Sequence, residues 1–253
     1  LTSEQSKELI YIFVPSMKIQ GTTHKALNIV VIVAALGYFV DIYDLILFGI
    51  VRIPSLKGIG VADVDLKSAG VYLSNMQMLG MMLGGIAWGV LGDKRGRLST
   101  LFLTILLYSL ANIANGFVHD VTQYSVCRFI AGIGLAGELG AGITLVCELI
   151  PKEKRGFATS FIAGVGLTGA ILAYFISKEF DWRICYFIGG GLGLLLLYLR
   201  VSVFESGMFE MEKKEKIQHG NFFMFFNNYD RFKRYMLGIM LGLPIWYVLG
   251  ILV

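Results

Sequence analysis

Long apolar blocks alternate with short polar punctuation along this chain, and the length of the blocks decides what kind of protein it is. Candidate spans run over residues 27–50, 69–92, 98–117, 121–149, 157–177, 183–204 and 235–253. Each meets the ~17–25 residues needed to cross ~30 Å of hydrocarbon as a helix rising ~1.5 Å per residue. A membrane barrel would instead alternate polar and apolar positions over ~10 residues, and no segment does so. The pattern predicts an all-α polytopic membrane protein. Its parts are an N-terminal segment 1–26, a six-helix domain 27–204, a polar linker 205–234 and a seventh helix 235–253, with 51–68 as an external connection.

Composition supports this division. A hydrophobic fraction of 56% and a mean hydropathy of +0.69 exceed what a soluble domain can hide in one core. Sixteen of the 22 Lys and Arg fall in the N-terminal segment, the 93–97 and 152–155 loops and the stretch from Arg200 to Arg234, against five on the other side and Arg128 within a span. This bias places the N-terminus and the even-numbered loops in the cytoplasm, and the lack of any Asn-x-Ser/Thr sequon fits an inner (plasma) membrane. The net charge of +4 is then topological, and dispersal of the basic residues among helix ends excludes a nucleic-acid surface. Cys127, Cys147 and Cys185 lie in apolar spans without metal or redox spacing and read as structural thiols, so no metal and no cofactor is expected. His24, His119 and His219 are scattered, and no nucleophile–base pairing suggests an enzyme.

Glycine is dense inside the spans: Gly80, Gly84, Gly85 and Gly89 in the second, and Gly132, Gly134, Gly137, Gly140 and Gly142 in the fourth. Spacings of four let helices approach to backbone contact. Static packing is the plainer reading, and smooth faces that let helices rock is the functional one. The basic ends of the second and fourth spans echo each other, but the echo alone does not establish a repeat.

Asp41, Asp44, Arg128 and Glu138 stand within apolar spans. Each costs ~2.5–3.5 kcal/mol near the bilayer centre on insertion scales, so each demands a partner or a wet cavity. At ~1.5 Å per residue, Asp44 lies ~9 Å and Asp41 ~13 Å below the outer end of the first span, and Arg128 ~10 Å below the outer start of the fourth. Matching depths predict that Asp41 or Asp44 meets Arg128. The two aspartates, three apart, share a helical face. Their mutual repulsion and burial favour proton uptake while Arg128 opposes it, so the site can exchange a proton near neutral pH. In the functional reading, protonation loosens Arg128 to receive an anionic solute; a static ion pair is the alternative, though it needs only one carboxylate. Glu138 is a further proton or solute contact or an interhelical hydrogen bond, and Tyr43, Asn75 and Gln77 are candidates to line the cavity.

The loop Gly89-x-x-Gly-Asp93-Lys-Arg-Gly96-Arg97 resembles the signature between the second and third helices of the major facilitator superfamily. Arg128 with the glycine run after it, Glu148-x-x-Pro151-x-x-x-Arg155-Gly156, Trp182-Arg183 and Glu205-Ser206 agree in order and place. Leu98 stands where the family often has a second basic residue. The segment from Asp41 to Gly49 and the run Arg128-x-x-x-Gly132-x-Gly134-x-x-Gly137-Glu138 resemble the first and fourth helices of its metabolite–proton symporters, the organic- and aromatic-acid carriers among them.

The resemblance implies a fold of two six-helix halves with solute bound between them, this chain being the first half plus a seventh helix of a longer transporter, a monomer when complete. It further implies a gating network, with Asp93 capping a helix of the other half, Arg97 paired with Glu148 and Arg155 with Glu205. The fifth span reads Gly164-Val-Gly166-Leu-Thr-Gly169 without the proline of the family's drug antiporters, which favours uptake over export. The expected activity is proton-coupled import of a small polar, anionic metabolite, with lipid, protons and the metabolite as partners. An uncoupled sugar or metabolite facilitator is the alternative within transport, and a seven-helix receptor or scaffold the alternative outside it.

Overall fold

The apolar blocks become helices in the computed structural model, which describes residues 24–95, 97–149, 152–205 and 228–247, with side chains over 31–95, 99–138, 154–201 and 228–241 except 231. The helices are α1 His24–Gly58, α2 Leu66–Arg95, α3 Arg97–Asn115, α4 Val121–Leu149, α5 Lys152–Glu179, α6 Trp182–Glu205 and α7 Tyr229–Tyr247. Only residue 96 separates α2 from α3, as the tight 93–97 loop requires.

The largest departure from the sequence expectation is the outer end of α1. The helix continues to Gly58 with Pro54 inside it, so the external connection is only residues 59–65, turned by Gly60 at φ 87°. Pro54 lacks the N–H that would bond the Ile50 carbonyl. Neighbouring polar contacts hold the segment: Arg52 Nη1 donates to Ser74 Oγ of α2 at 2.7 Å, and Ser55 Oγ donates to the Arg52 carbonyl at 2.9 Å.

The helices pair in a symmetric way. α1 packs along α5 and α2 along α4; α3 packs on α4 and α6, and α1 on α4 and α6. Exchanging α1–α3 for α4–α6 leaves this pattern unchanged. The atoms repeat it. Gly80 of α2 nests against the Phe129 carbonyl and Ile133 amide of α4, and Gly169 of α5 against the Phe39 carbonyl and Tyr43 amide of α1. A Cβ at either glycine would overlap a carbonyl oxygen, so only glycine allows these backbones to touch. The repeat therefore lies in packing, and relates α2 to α5 rather than the echoing ends of α2 and α4.

Buried apolar side chains fall into an outer cluster around Leu47, Leu73, Tyr124 and Tyr186, an inner one around Val40, Ile105, Tyr108, Leu135 and Leu196, and a small one where Ala35 of α1 meets Ala158 and Ile162 of α5. Large apolar side chains also cover the outside: Met78, Met82 and Ile86 on α2, Phe157, Leu167 and Phe175 on α5, and Leu195 and Tyr198 on α6 are exposed. Water would not tolerate such a surface, whereas lipid or an apposed helical half would. Val31–Gly58, Lys154–Glu179 and Trp182–Val201 are long and apolar enough by themselves to cross a membrane. Polar or charged residues such as Asn75, Gln77 and Asp93 dilute the hydropathy of α2.

Candidate functional site

Asp44 sits on the face of α1 that meets α4, and the Arg128 guanidinium fills the space between them. Arg128 is wholly buried, its Nη1 3.4 Å from each carboxylate oxygen of Asp44. Charge-assisted bonds normally close to ~2.7–2.9 Å, so this pair is loose. The tighter partner is neutral: Nη2 donates to Asn112 Oδ1 of α3 at 2.5 Å. The guanidinium carbon also lies 5.2 Å from the Phe48 ring centre and 4.9 Å from that of Tyr186, within cation–π range. A hydroxyl chain then leads outward, from Tyr186 to Tyr124 at 2.5 Å and on to Ser55 at 3.0 Å. Within this enclosure Arg128 Nε and Asn112 Nδ2 are buried donors with no partner among the described residues.

A second pair lies toward the other end of α1. Glu138 of α4 accepts two hydrogen bonds from Arg200 of α6, one from Nη1 at 2.9 Å and one from Nη2. Both residues are buried, at 6% and 2% exposure. This corrects the sequence reading of Arg200 as the first residue of a cytoplasmic basic stretch. The preceding run Leu-Leu-Leu-Leu-Tyr-Leu and the following Val-Ser-Val-Phe were the available signal, since an arginine flanked by apolar residues on both sides belongs to the span.

Asp41 lies between the two pairs. It is 4% exposed, and its Oδ2 accepts no hydrogen bond from a described residue. It shares a seam with Gly37, Tyr108, Glu138 and Gly193 that leaves no volume for a water molecule. The Tyr108 hydroxyl there donates to the Val40 carbonyl at 3.5 Å. Among the described residues the buried ionisable charges are thus Asp41, Asp44 and Glu138 against Arg128 and Arg200. Three acids face two bases.

Other candidates are distributed differently. Tyr43 is fully buried and its hydroxyl donates to the Cys185 carbonyl of α6 at 3.0 Å, a tie between helices. Gln77 is buried on α2 with neither amide atom partnered among the described residues, while Asn75 is exposed on the same helix. Asp93 ends α2, Arg97 begins α3, Glu148 nears the end of α4, Arg155 falls in the first turn of α5 and Glu205 closes α6, so all five occupy one end of the bundle. The Asp93 side chain is exposed and that of Arg155 half-buried; those of Arg97, Glu148 and Glu205 lie outside the described residues. Asn112, which no sequence argument selected, holds Arg128 in place; a polar residue in the run Leu-Ala-Asn-Ile-Ala was its only mark.

The arrangement has counterparts among known proteins. The model of the Major Facilitator Superfamily matches residues 11–253. The benzoate transport protein of Acinetobacter baylyi is 31% identical over 204 residues, covering 77% of this chain and 43% of that protein. The sialic acid transporter NanX of Escherichia coli is 31% identical over 178 residues, covering 68% of this chain and 43% of that protein. The chain therefore spans less than half the length of these relatives. Among solved structures, the proton:xylose symporter XylE bound to 6-bromo-6-deoxy-D-glucose superposes with a TM-score of 0.63 at 20% identity, over 70% of this chain and 45% of that one, a likeness of fold. With a family model matched over nearly its whole length and two exchangeable helix triplets around buried charge, the chain belongs to the major facilitator superfamily, a family of transporters and not of enzymes.

Proposed function

We propose that the protein is a proton-coupled secondary transporter that imports a small anionic metabolite by alternating access. In this reading the chain supplies one six-helix wall of the pathway and α7 opens the other. The observation that carries it is the uneven charge inventory. Asp44 has Arg128 and Glu138 has Arg200, but Asp41 is buried with an oxygen that no described residue satisfies. An unpaired buried carboxylate is costly enough that taking up a proton is the cheaper state. One proton also brings the cluster to neutrality.

The solute class rests on spare donors. Arg128 Nε and Asn112 Nδ2 are buried without acceptors among the described residues, and the loose Asp44 pair is the contact most easily surrendered. Uptake of a proton by the Asp41–Asp44 pair loosens Arg128 to receive the anion, so proton and solute enter together. Relatives named for benzoate and sialic acid support an acid as cargo. Glu138 holds the inner charge, and Tyr43, Asn75 and Gln77 stay candidates for the cavity wall. At the inner end, Arg97 with Glu148, Arg155 with Glu205, and Asp93 at the end of α2 close the outward-facing state. The protein lies in the inner membrane as a monomer with a cytoplasmic N-terminus, the side that the basic 93–97 loop marks. A cysteine placed in the N-terminal segment should resist a membrane-impermeant maleimide in intact cells.

The test is uptake of labelled benzoate and of sialic acid by the full-length protein in proteoliposomes, with and without an inward proton gradient. Gradient-driven accumulation should fall about tenfold or more in Asp41→Asn and in Asp44→Asn, while solute exchange persists in Asp41→Asn. Undiminished accumulation against a gradient in both variants would sink the reading.

A further inference from the structure

Arg200 and Gly37 take no step in the mechanism above, yet Gly37 lines the same seam as its proton site and the charge of Arg200 reaches it. Gly37 precedes Asp41 by four residues and shares its helical face. A Cβ on Gly37 would overlap Glu138 Oε1 and Arg200 Nη2, so the ion pair rests directly on the α1 backbone one turn from Asp41. Arg200 Nη2 also reaches the Val33 carbonyl at 3.5 Å, a further turn along. Asp41 and Glu138 line the same dry seam. Around that seam the hydrogen-bond accounts are open on both sides: Arg200 Nε is a buried donor without a described acceptor, and Asp41 Oδ2 a buried acceptor without a described donor.

We infer that Arg200 is a positioning residue for the proton site: its guanidinium is shared between Glu138 and Asp41, and passing it from one to the other moves the proton between them. The inference rests on the reading of Asp41 as the proton carrier. In the first state Asp41 is protonated and Arg200 pairs with the Glu138 carboxylate. In the second, the Asp41 O–H bond has broken, an O–H bond has formed on Glu138, and Arg200 pairs with the Asp41 carboxylate. No electrons change hands. Each state holds two carboxylates, one carboxylic acid and two guanidinium groups, so buried net charge stays at zero, as a low-dielectric interior demands. Because Gly37 and Val33 lie toward the N-terminal end of α1, the transfer advances the proton toward the face assigned to the cytoplasm.

Several groups surround Asp41. Asp44 and Tyr38 share its helix, Tyr108 comes from α3, Arg128 and Glu138 from α4 and Arg200 from α6. From α5 this stretch of α1 receives Ala158, Ile162 and Val165, and α2 meets α1 at Arg52 and Ser74, near its outer end. Arg200 and Glu138 are therefore the pair able to trade charge with Asp41 while Arg128 stays engaged with Asp44 and Asn112.

The first measurement needs no solute. Infrared spectra of the full-length protein in proteoliposomes, titrated with pH, should contain a carboxylic-acid carbonyl band that disappears in Asp41→Asn. If Arg200 is shared, Arg200→Gln removes the competing cation and the Asp41 band persists to higher pH by about one unit or more. Glu138→Gln frees Arg200 for Asp41 and shifts the band the opposite way by a similar amount. Identical titration of the Asp41 band in wild type and both variants overturns the inference while leaving Asp41 as the proton site; absence of any Asp41-dependent band overturns both. Since Arg200→Gln alone strands a buried carboxylate, the double variant Glu138→Gln/Arg200→Gln is measured beside it. The double variant should lose about tenfold in gradient-driven accumulation of labelled benzoate. Undiminished accumulation would show that the pair only holds helices together, and would overturn the inference.

Discussion

The two buried ion pairs look alike in sequence terms, an acid and an arginine on facing helices, but they are built differently. Arg128 is enclosed by Phe48, Tyr186 and Asn112 and stands 3.4 Å from Asp44. Arg200 grips Glu138 with two nitrogens of its fork and lies against the bare backbone of Gly37. Desolvation is severe in both places, so each arginine must spend its donors. The outer one spends them on a neutral amide and two ring faces, which leaves its carboxylate partner exchangeable. The inner one spends them on its carboxylate. In the proposed reading, where one pair opens for a solute and the other holds charge near a proton, the two are expected to differ in this way.

The sharpest way to break the comparison is to remove the outer arginine. Arg128→Ala leaves Asp44 buried and alone, and thermal unfolding of the full-length protein should register a loss of about 3–5 kcal/mol, with no uptake remaining. Asp44→Asn/Arg128→Gln should recover most of that stability without recovering uptake. Next comes Asn112→Ala, which deletes a hydrogen bond to a charged group and should cost about 1.5–3 kcal/mol in the same melt. Gly37→Ala tests the inner pair through shape alone: the added methyl meets Glu138 and Arg200, and about 1–3 kcal/mol of overpacking strain is expected. The smallest effect belongs to Tyr186→Phe. The ring over Arg128 is kept and only the hydroxyl bond to Tyr124 is lost, so melting should register about 0.5–1.5 kcal/mol and uptake should change little.

Much of this was legible in the sequence, and the reasons differ by residue. The α4 bounds, 121–149, agree with the structure because a long apolar run is delimited by polar residues at both ends. The meeting of α1 with α4 was legible because lone charges in apolar runs must find one another. The choice of Asp44 over Asp41 was not, since residues three apart share a face and only packing decides which points at Arg128. The outer end of α1 was misjudged because Arg52, Pro54 and Lys57 read as a loop. In the fold, Arg52 finds Ser74, and Lys57 finds Asp63 at 3.0 Å, so the helix continues past the apolar block. Arg200 was lost to the counting of basic residues, which assigns a side to every cation near a span end and cannot detect one that turns inward. The glycines gave a spacing without a direction: Gly80 and Gly84 pack on α4, whereas among the described residues no neighbouring helix comes close to where a Cβ on Gly85 or Gly89 would stand.

The length of α1 has an electrical consequence. At 35 residues it extends ~52 Å against a hydrocarbon layer of ~30 Å, and Asp41 is its eighteenth residue. With α1 centred in the bilayer, a proton reaching Asp41 from the positive face has fallen through about half the membrane voltage, about 1.2 kcal/mol for every 100 mV, and one from the negative face must climb the other half. Occupancy of that carboxyl would then follow voltage as well as acidity, and a polarised cell would load it from outside before any helix had moved.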